Sequence, residues 1–118
     1  VTQHLHTRGI THGDLYAHNI LHTSEGDALL SDFGAAAFFD VNDTTLAQSL
    51  EKLEVRALGC LLEELAEHCH AEQHDTPKLE VVAQLAQRCM CNEPAKRPSL
   101  AQVCAELDTL NESTLQAA

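Results

Sequence analysis

Aromatic residues are scarce in this chain of 118: one Tyr, three Phe and no Trp, 3% in all. A core built of bulky rings is thereby excluded, and with 44% hydrophobic residues the interior has to be aliphatic and rich in helix. Basic residues are also few. Seven Lys and Arg face eighteen Asp and Glu, a net charge of −11 with the eight His neutral. A field of that sign repels phosphate backbones and anionic lipid, which argues against nucleic acid or a membrane surface as partner. No apolar run approaches the roughly 20 residues that span a bilayer, and no signal peptide is visible. Repeats, low-complexity tracts and linkers are absent too, so the chain reads as one domain or part of one.

Five cysteines (Cys60, Cys69, Cys89, Cys91 and Cys104) are an odd number without the spacing of a disulfide framework. They read as thiols in a reducing, cytoplasmic compartment. His68-Cys69-His70 and Cys89-Met90-Cys91 offer soft metal ligands, but structural zinc pairs are set about two to four residues apart. Packing as small hydrophobes is the favoured reading for Cys69 and Cys89.

What is present divides the chain by period. Asn19–His22 and Ala28–Ser31 are short apolar runs around Thr23-Ser24-Glu25-Gly26-Asp27, a pattern that predicts a β-hairpin. Beyond Asp43 the period becomes helical. Leu46, Leu50, Leu53, Ala57, Leu58, Leu61, Leu62 and Leu65 predict an aliphatic stripe on a long helix, with Thr45 and Gln48 as its capping box. Gly59 inside that helix costs roughly 1 kcal/mol against Ala, which a close backbone approach would explain. Thr76-Pro77 reads as an N-cap followed by Pro at the first helical position. The second stripe comprises Leu79, Val82, Ala83, Ala86, Cys89 and Met90, with Leu85 at its edge. A loop with two prolines follows, and a third helix opens at Ser99 with Gln102 in capping-box position. It buries Leu100, Val103, Cys104, Leu107 and Leu110, with residues 111–118 as a frayed tail.

Chemistry concentrates at the ends of the hairpin. His12-Gly13-Asp14-Leu15-Tyr16-Ala17-His18-Asn19 leads in, and Ser31-Asp32-Phe33-Gly34 leads out. The hairpin directs Asp14, Asn19 and Asp32 to one end of a small sheet. Two carboxylates and an amide offer the hard oxygens that Mg²⁺ prefers, and a carboxylate held off the metal can take a proton from an attacking hydroxyl. Gly34 is expected to permit the turn that aims Asp32 inward. Singly, each Asp would be an ordinary turn residue. The spacing of all three favours the site.

These residues resemble a family. His12-Gly13-Asp14 with Asn19 is similar to the catalytic loop of protein kinases, and Asp32-Phe33-Gly34 to their magnesium motif. Leu5–Ile10 resembles the end of the helix before that loop, and Glu54–Leu65 the buried central helix of the large lobe. Cys89 through Lys96-Arg97-Pro98-Ser99 resembles the segment that carries a structural Arg. The wording is most similar to bacterial protein-kinase-like proteins, including ones fused to leucine-rich repeats. The resemblance implies an α+β, mainly helical fold, the large C-terminal lobe of a kinase with a small β-hairpin carrying both motifs. It implies Asp14 as catalytic base and Asn19 and Asp32 as ligands of Mg²⁺. ATP would be the phosphoryl donor and a protein or small-molecule hydroxyl the acceptor. His12, Phe33, Gly34 and Arg97 would be structural, with His12 bracing the loop against Phe33. His4, His6, His22 and His74 are assigned surface or packing positions.

The chain also departs from that family. Gly13 stands where many kinases have Arg, and Tyr16 where Ser/Thr kinases have Lys. His18 would supply a cation in its place only if protonated. Glu54 replaces the central helix's usual Asp. Only 21 residues separate Asp32 from Glu54, and no Ala-Pro-Glu follows. Arg97 would pair with that missing Glu, leaving Glu51 or Glu54 as candidate partners. No glycine-rich loop, strand Lys or partner Glu is present. The expectation is a partial kinase domain over residues 1–110 that opens at Val1 inside the helix before the catalytic loop and is inactive alone. A Ser/Thr-type protein kinase is favoured over a Tyr-type one. The alternatives are a small-molecule kinase of the aminoglycoside or choline type and a non-catalytic pseudokinase.

Overall fold

A computed structural model describes residues 1–71 and 76–117. Helix α1 (Thr2–Thr7) leads into strand β1 (Ile10–Thr11), and a single 3₁₀ turn (Ala17–Asn19) precedes strand β2 (Ile20–His22). Strands β3 (Ala28–Leu30) and β4 (Ala37–Phe38) follow, then helices α2 (Thr44–Ala71) and α3 (Thr76–Cys89), a second 3₁₀ turn (Pro94–Lys96) and helix α4 (Leu100–Ala117).

The predicted hairpin is present as β2–β3, antiparallel, with Ile20 opposite Leu30 and Leu21 opposite Leu29. Its turn is closed by Thr23, whose Oγ1 accepts the N–H groups of Glu25 and Asp27. A second antiparallel pair was not foreseen: β1 lies against β4, Ile10 opposite Phe38 and Thr11 opposite Ala37. Strands of two residues carry no readable alternation, so pattern alone does not reveal them.

The cap of helix α2 lies two residues before the predicted one. Asp43, not Thr45, is the cap: its Oδ1 accepts the Leu46 N–H at 3.1 Å and its carbonyl the Ala47 N–H at 2.9 Å. The Asp40–Asp43 turn places it there, with the Asn42 N–H donating to Asp40 Oδ1. The box at Ser99 is formed in both directions: Gln102 N–H to Ser99 Oγ at 3.1 Å and Ser99 N–H to Gln102 Oε1 at 2.8 Å. Helix α4 runs on to Ala117, beyond the boundary expected at residue 110. The N-cap expected at Thr76, the His70 side chain and His74 lie outside the described residues.

The core is aliphatic. Val55 and Leu62 of α2 pack with Leu85, Ala86 and Cys89 of α3 and Leu100 and Val103 of α4. Each buried Val or Leu among them stabilises by about 1.5–3 kcal/mol. The predicted stripe on α2 is partly displaced: Leu61 and Leu62 are buried, but Leu46, Leu53 and Leu65 are exposed. Leu53 lies about 200° around the helix from Val55, the residue that faces α3. Burial pushes the Cys89 thiol up, leaving it protonated. Among the described residues no three His, Cys, Asp or Glu side chains gather as a metal site would.

Gly59 is where α2 and α3 touch. A Cβ there would lie 2.6 Å from Cys89 Cβ and 3.0 Å from the Ala86 carbonyl oxygen. Gly59→Ala is therefore expected to destabilise by about 1–3 kcal/mol although Ala is the better helix former. Urea unfolding should show a lower midpoint with an unchanged slope. A midpoint at or above that of the parent protein would contradict this packing.

Candidate active site

The two sheets bracket one pair of loops. Strand β1 delivers His12 to the first loop, and β2 receives it after Asn19. Strand β3 releases Ser31 and Asp32 into the second, which closes on β4. Both ends of both loops are thus tied by strand pairing, and three side chains fix the space between them.

His12 is fully buried. Its Nδ1 accepts the Asp14 N–H at 3.1 Å, so that nitrogen carries no proton. Its Nε2 then carries one and donates to the Ser31 carbonyl at 2.9 Å. Both nitrogens being engaged, the imidazole is a neutral brace and is unavailable as a base. Its ring meets Phe33 edge-on at 4.8 Å, the contact expected from the sequence.

Glu54 reaches the same loop from α2. It is 4% exposed, and its carboxylate accepts the Gly13 N–H at 2.9 Å and the His12 N–H at 3.4 Å. Hydrogen bonds to a charged acceptor contribute roughly 1.5–3 kcal/mol each, which offsets the desolvation of the carboxylate. Glu54 is committed to this loop and does not pair with Arg97. The hydrogen bonds of Arg97 go instead to the carbonyls of Cys91, at 2.8 Å, and Lys52, at 3.1 Å. Glu51, the other expected partner, accepts the Leu100 N–H at 3.3 Å. Arg97 is thus held by carbonyls rather than by the carboxylate expected from the sequence.

Asp14 and Asn19 are brought into contact. Asn19 Nδ2 donates to the Asp14 carbonyl at 2.9 Å and to Asp14 Oδ2 at 3.0 Å. Both partners only accept, so the amide nitrogen must face them and the amide oxygen faces away. Asn19 is buried while Asp14 is exposed. The Asn19 carbonyl takes the Ser31 N–H at 2.7 Å and the Ser31 hydroxyl at 2.8 Å, so Asp32 follows directly on the residue clamped to Asn19. Asp32 itself adopts φ +56°, a left-handed conformation uncommon outside glycine. This corrects the expectation for Gly34: the positive φ belongs to Asp32, and Gly34 donates its N–H to Asp32 Oδ1 at 3.3 Å.

The site therefore presents an exposed carboxylate, Asp14, held by an amide, with the amide oxygen and the Asp32 carboxylate as hard donors. That set fits Mg²⁺. Tyr16 and His18 stand on the surface of the same loop with ring centroids 4.9 Å apart. His4 and His22 are exposed, as expected, and His6 packs against Phe39 at 4.9 Å.

A small sheet with a braced His-Gly-Asp loop, set on a buried central helix, defines the large lobe of a protein-kinase-like fold. The model of the lipopolysaccharide kinase (Kdo/WaaP) family matches residues 1–80, and the chain belongs to that family. Among curated proteins it is 30% identical over 112 residues to the serine/threonine-protein kinase WNG1 of Toxoplasma gondii, covering 84% of this chain and 17% of that one. It is 41% identical over 58 residues to the serine/threonine-protein kinase TOS3 of Saccharomyces cerevisiae, covering 48% of this chain and 10% of that one. The chain thus spans less than a fifth of either relative. A solved structure of a Toxoplasma kinase, described as divergent and lacking the glycine-rich loop, superposes with a TM-score of 0.69 at 22% identity. That match covers 86% of this chain and 36% of the other.

Two site features escaped sequence reasoning. The work done by Glu54 depends on its distance from residue 13 in space, for which no local signal exists. Gly13 was read as a missing Arg, whereas its φ of +81° and a Cβ position 2.7 Å from the Ala35 carbonyl demand glycine. Gly13→Arg is therefore expected to lower stability by about 2 kcal/mol or more. A thermal melt matching that of the parent would refute the left-handed placement.

Proposed function

We propose that this chain carries the base and metal-holding half of an ATP- and Mg²⁺-dependent phosphotransferase that acts on a hydroxyl. The observation that carries this reading is the Asp14–Asn19 pair, held between a braced His12 and the Ser31 clamp. In it Asp14 accepts the proton of the acceptor hydroxyl; Oδ2 is oriented by Asn19, and His12 has no free nitrogen to compete. Asn19, through its amide oxygen, and Asp32 hold Mg²⁺, which when bound would neutralise charge on the donor phosphates. Phosphoryl transfer is mostly positioning and charge stabilisation, the work this rigid frame suits.

Residues 1–118 contain no glycine-rich loop or strand lysine. In this proposal the remainder of the nucleotide pocket comes from a small lobe outside them, and these residues alone are inactive. The Toxoplasma neighbour, described as lacking the glycine-rich loop, is itself described as a kinase. The serine/threonine kinases among the relatives favour a protein hydroxyl as acceptor. The lipopolysaccharide kinases that name the family support the second reading, a small-molecule or saccharide hydroxyl. The short segment between Asp32 and α2, which leaves little platform for a peptide, points the same way.

In the full-length protein, Asp14→Asn is expected to reduce ATP-dependent phosphorylation about 10²–10⁴-fold with unchanged circular dichroism. Asp32→Asn is expected to raise the Mg²⁺ concentration needed for half-maximal rate. Assays against generic protein acceptors and against sugars separate the two acceptors. Binding of Mg·ATP without turnover by the unaltered protein would leave a pseudokinase and sink the enzyme reading.

A further inference from the structure

Two cations lie close together where α2 meets the second 3₁₀ turn, and among the described residues neither is bonded to a carboxylate. Lys52 Nζ donates to the Arg97 carbonyl at 2.7 Å, and Arg97 Nη1 donates back to the Lys52 carbonyl at 3.1 Å. Arg97 Nε goes to a third carbonyl, that of Cys91. Arg97 is only 8% exposed, and Lys52 is half-buried. Carbonyl oxygens satisfy hydrogen bonds without supplying opposite charge. In a chain with eighteen acidic residues this is anomalous. The two nearest acids along α2 are engaged elsewhere: Glu51 caps Leu100, and Glu54 holds the Gly13 loop.

A groove of about 440 Å³ opens over this pair. Lys52 and Arg97 line it together with the exposed Leu53, Pro94 and Ala95. Leu53 is 62% exposed, an apolar side chain left on the surface beside these two cations. We propose that this groove is a docking site for a segment of a partner protein that carries a carboxylate next to an aliphatic side chain. The carboxylate meets Lys52 and Arg97, and the aliphatic group covers Leu53, Pro94 and Ala95. An Arg offers a carboxylate more than one N–H, which favours this anion over a neutral acceptor. The net charge of −11 opposes an acidic partner at long range. At physiological salt that repulsion is screened beyond about 8 Å, whereas a contact pair in a groove is not.

The test uses a capped hexapeptide with Leu-Glu-Leu at its centre and its Gln counterpart, titrated into the ¹⁵N-labelled protein at physiological salt. The Glu peptide should shift amides around residues 49–53 and 94–97 and bind roughly tenfold more tightly than the Gln peptide. Lys52→Met should remove most of that preference, and Leu53→Asp, on an exposed face of the helix, should abolish binding of both peptides while the fold is retained. Equal affinity for the two peptides would overturn the proposal. So would shifts confined to other surfaces, or no shift at millimolar peptide in a folded protein.

Discussion

The buried carboxylate of Glu54 ties the site to the scaffold. It sits on α2, the longest helix and the one against which the core assembles, and it accepts N–H groups from His12 and Gly13, on the loop that carries Asp14. A loop has little packing of its own, so its precision depends on what it is tied to. Through Glu54, the residues that hold α2 in place (Val55, Gly59, Leu62) also hold Asp14. His12 extends the chain of restraint to the second loop through Ser31 and Phe33.

The charge economy of the molecule follows from where its few cations go. Arg88 pairs with Glu106 at 2.7 Å, an interaction that raises the pKa of the guanidinium, and Lys96 lies 3.3 Å from Glu93. These pairs are well exposed and contribute little. Lys52 and Arg97 serve the junction between α2 and the loop before α4. No Lys or Arg stands in the loop from His12 to Asn19 or in the segment from Ser31 to Asp43. These two loops therefore orient groups without supplying a fixed positive charge of their own.

Much was legible from residue order. The hairpin, the three main helices, the Ser99 cap, the crowding at Gly59 and the contact of His12 with Phe33 all followed from local pattern or from the family likeness. The misreadings share one physical origin. Thr45 lost the cap to Asp43 because the preceding turn, not the helix, decides which side chain reaches the free N–H groups. Leu53 and Leu65 matched the helical period, yet the face that met α3 was the one bearing Val55 and Gly59. Arg97 found carbonyls because both candidate carboxylates were engaged by backbone elsewhere.

The sequence by itself determined the chemistry: which residues are able to accept a proton or hold a hard cation, and that an aliphatic, helical core would carry them. Only the tertiary structure decided which of two acids anchors the loop, why residue 13 must be glycine, and that Lys52 and Arg97 line one groove while bonded to carbonyls. Residue type and period are properties of neighbours along the chain. A hydrogen bond between positions 13 and 54 depends on distances set by the whole packed core.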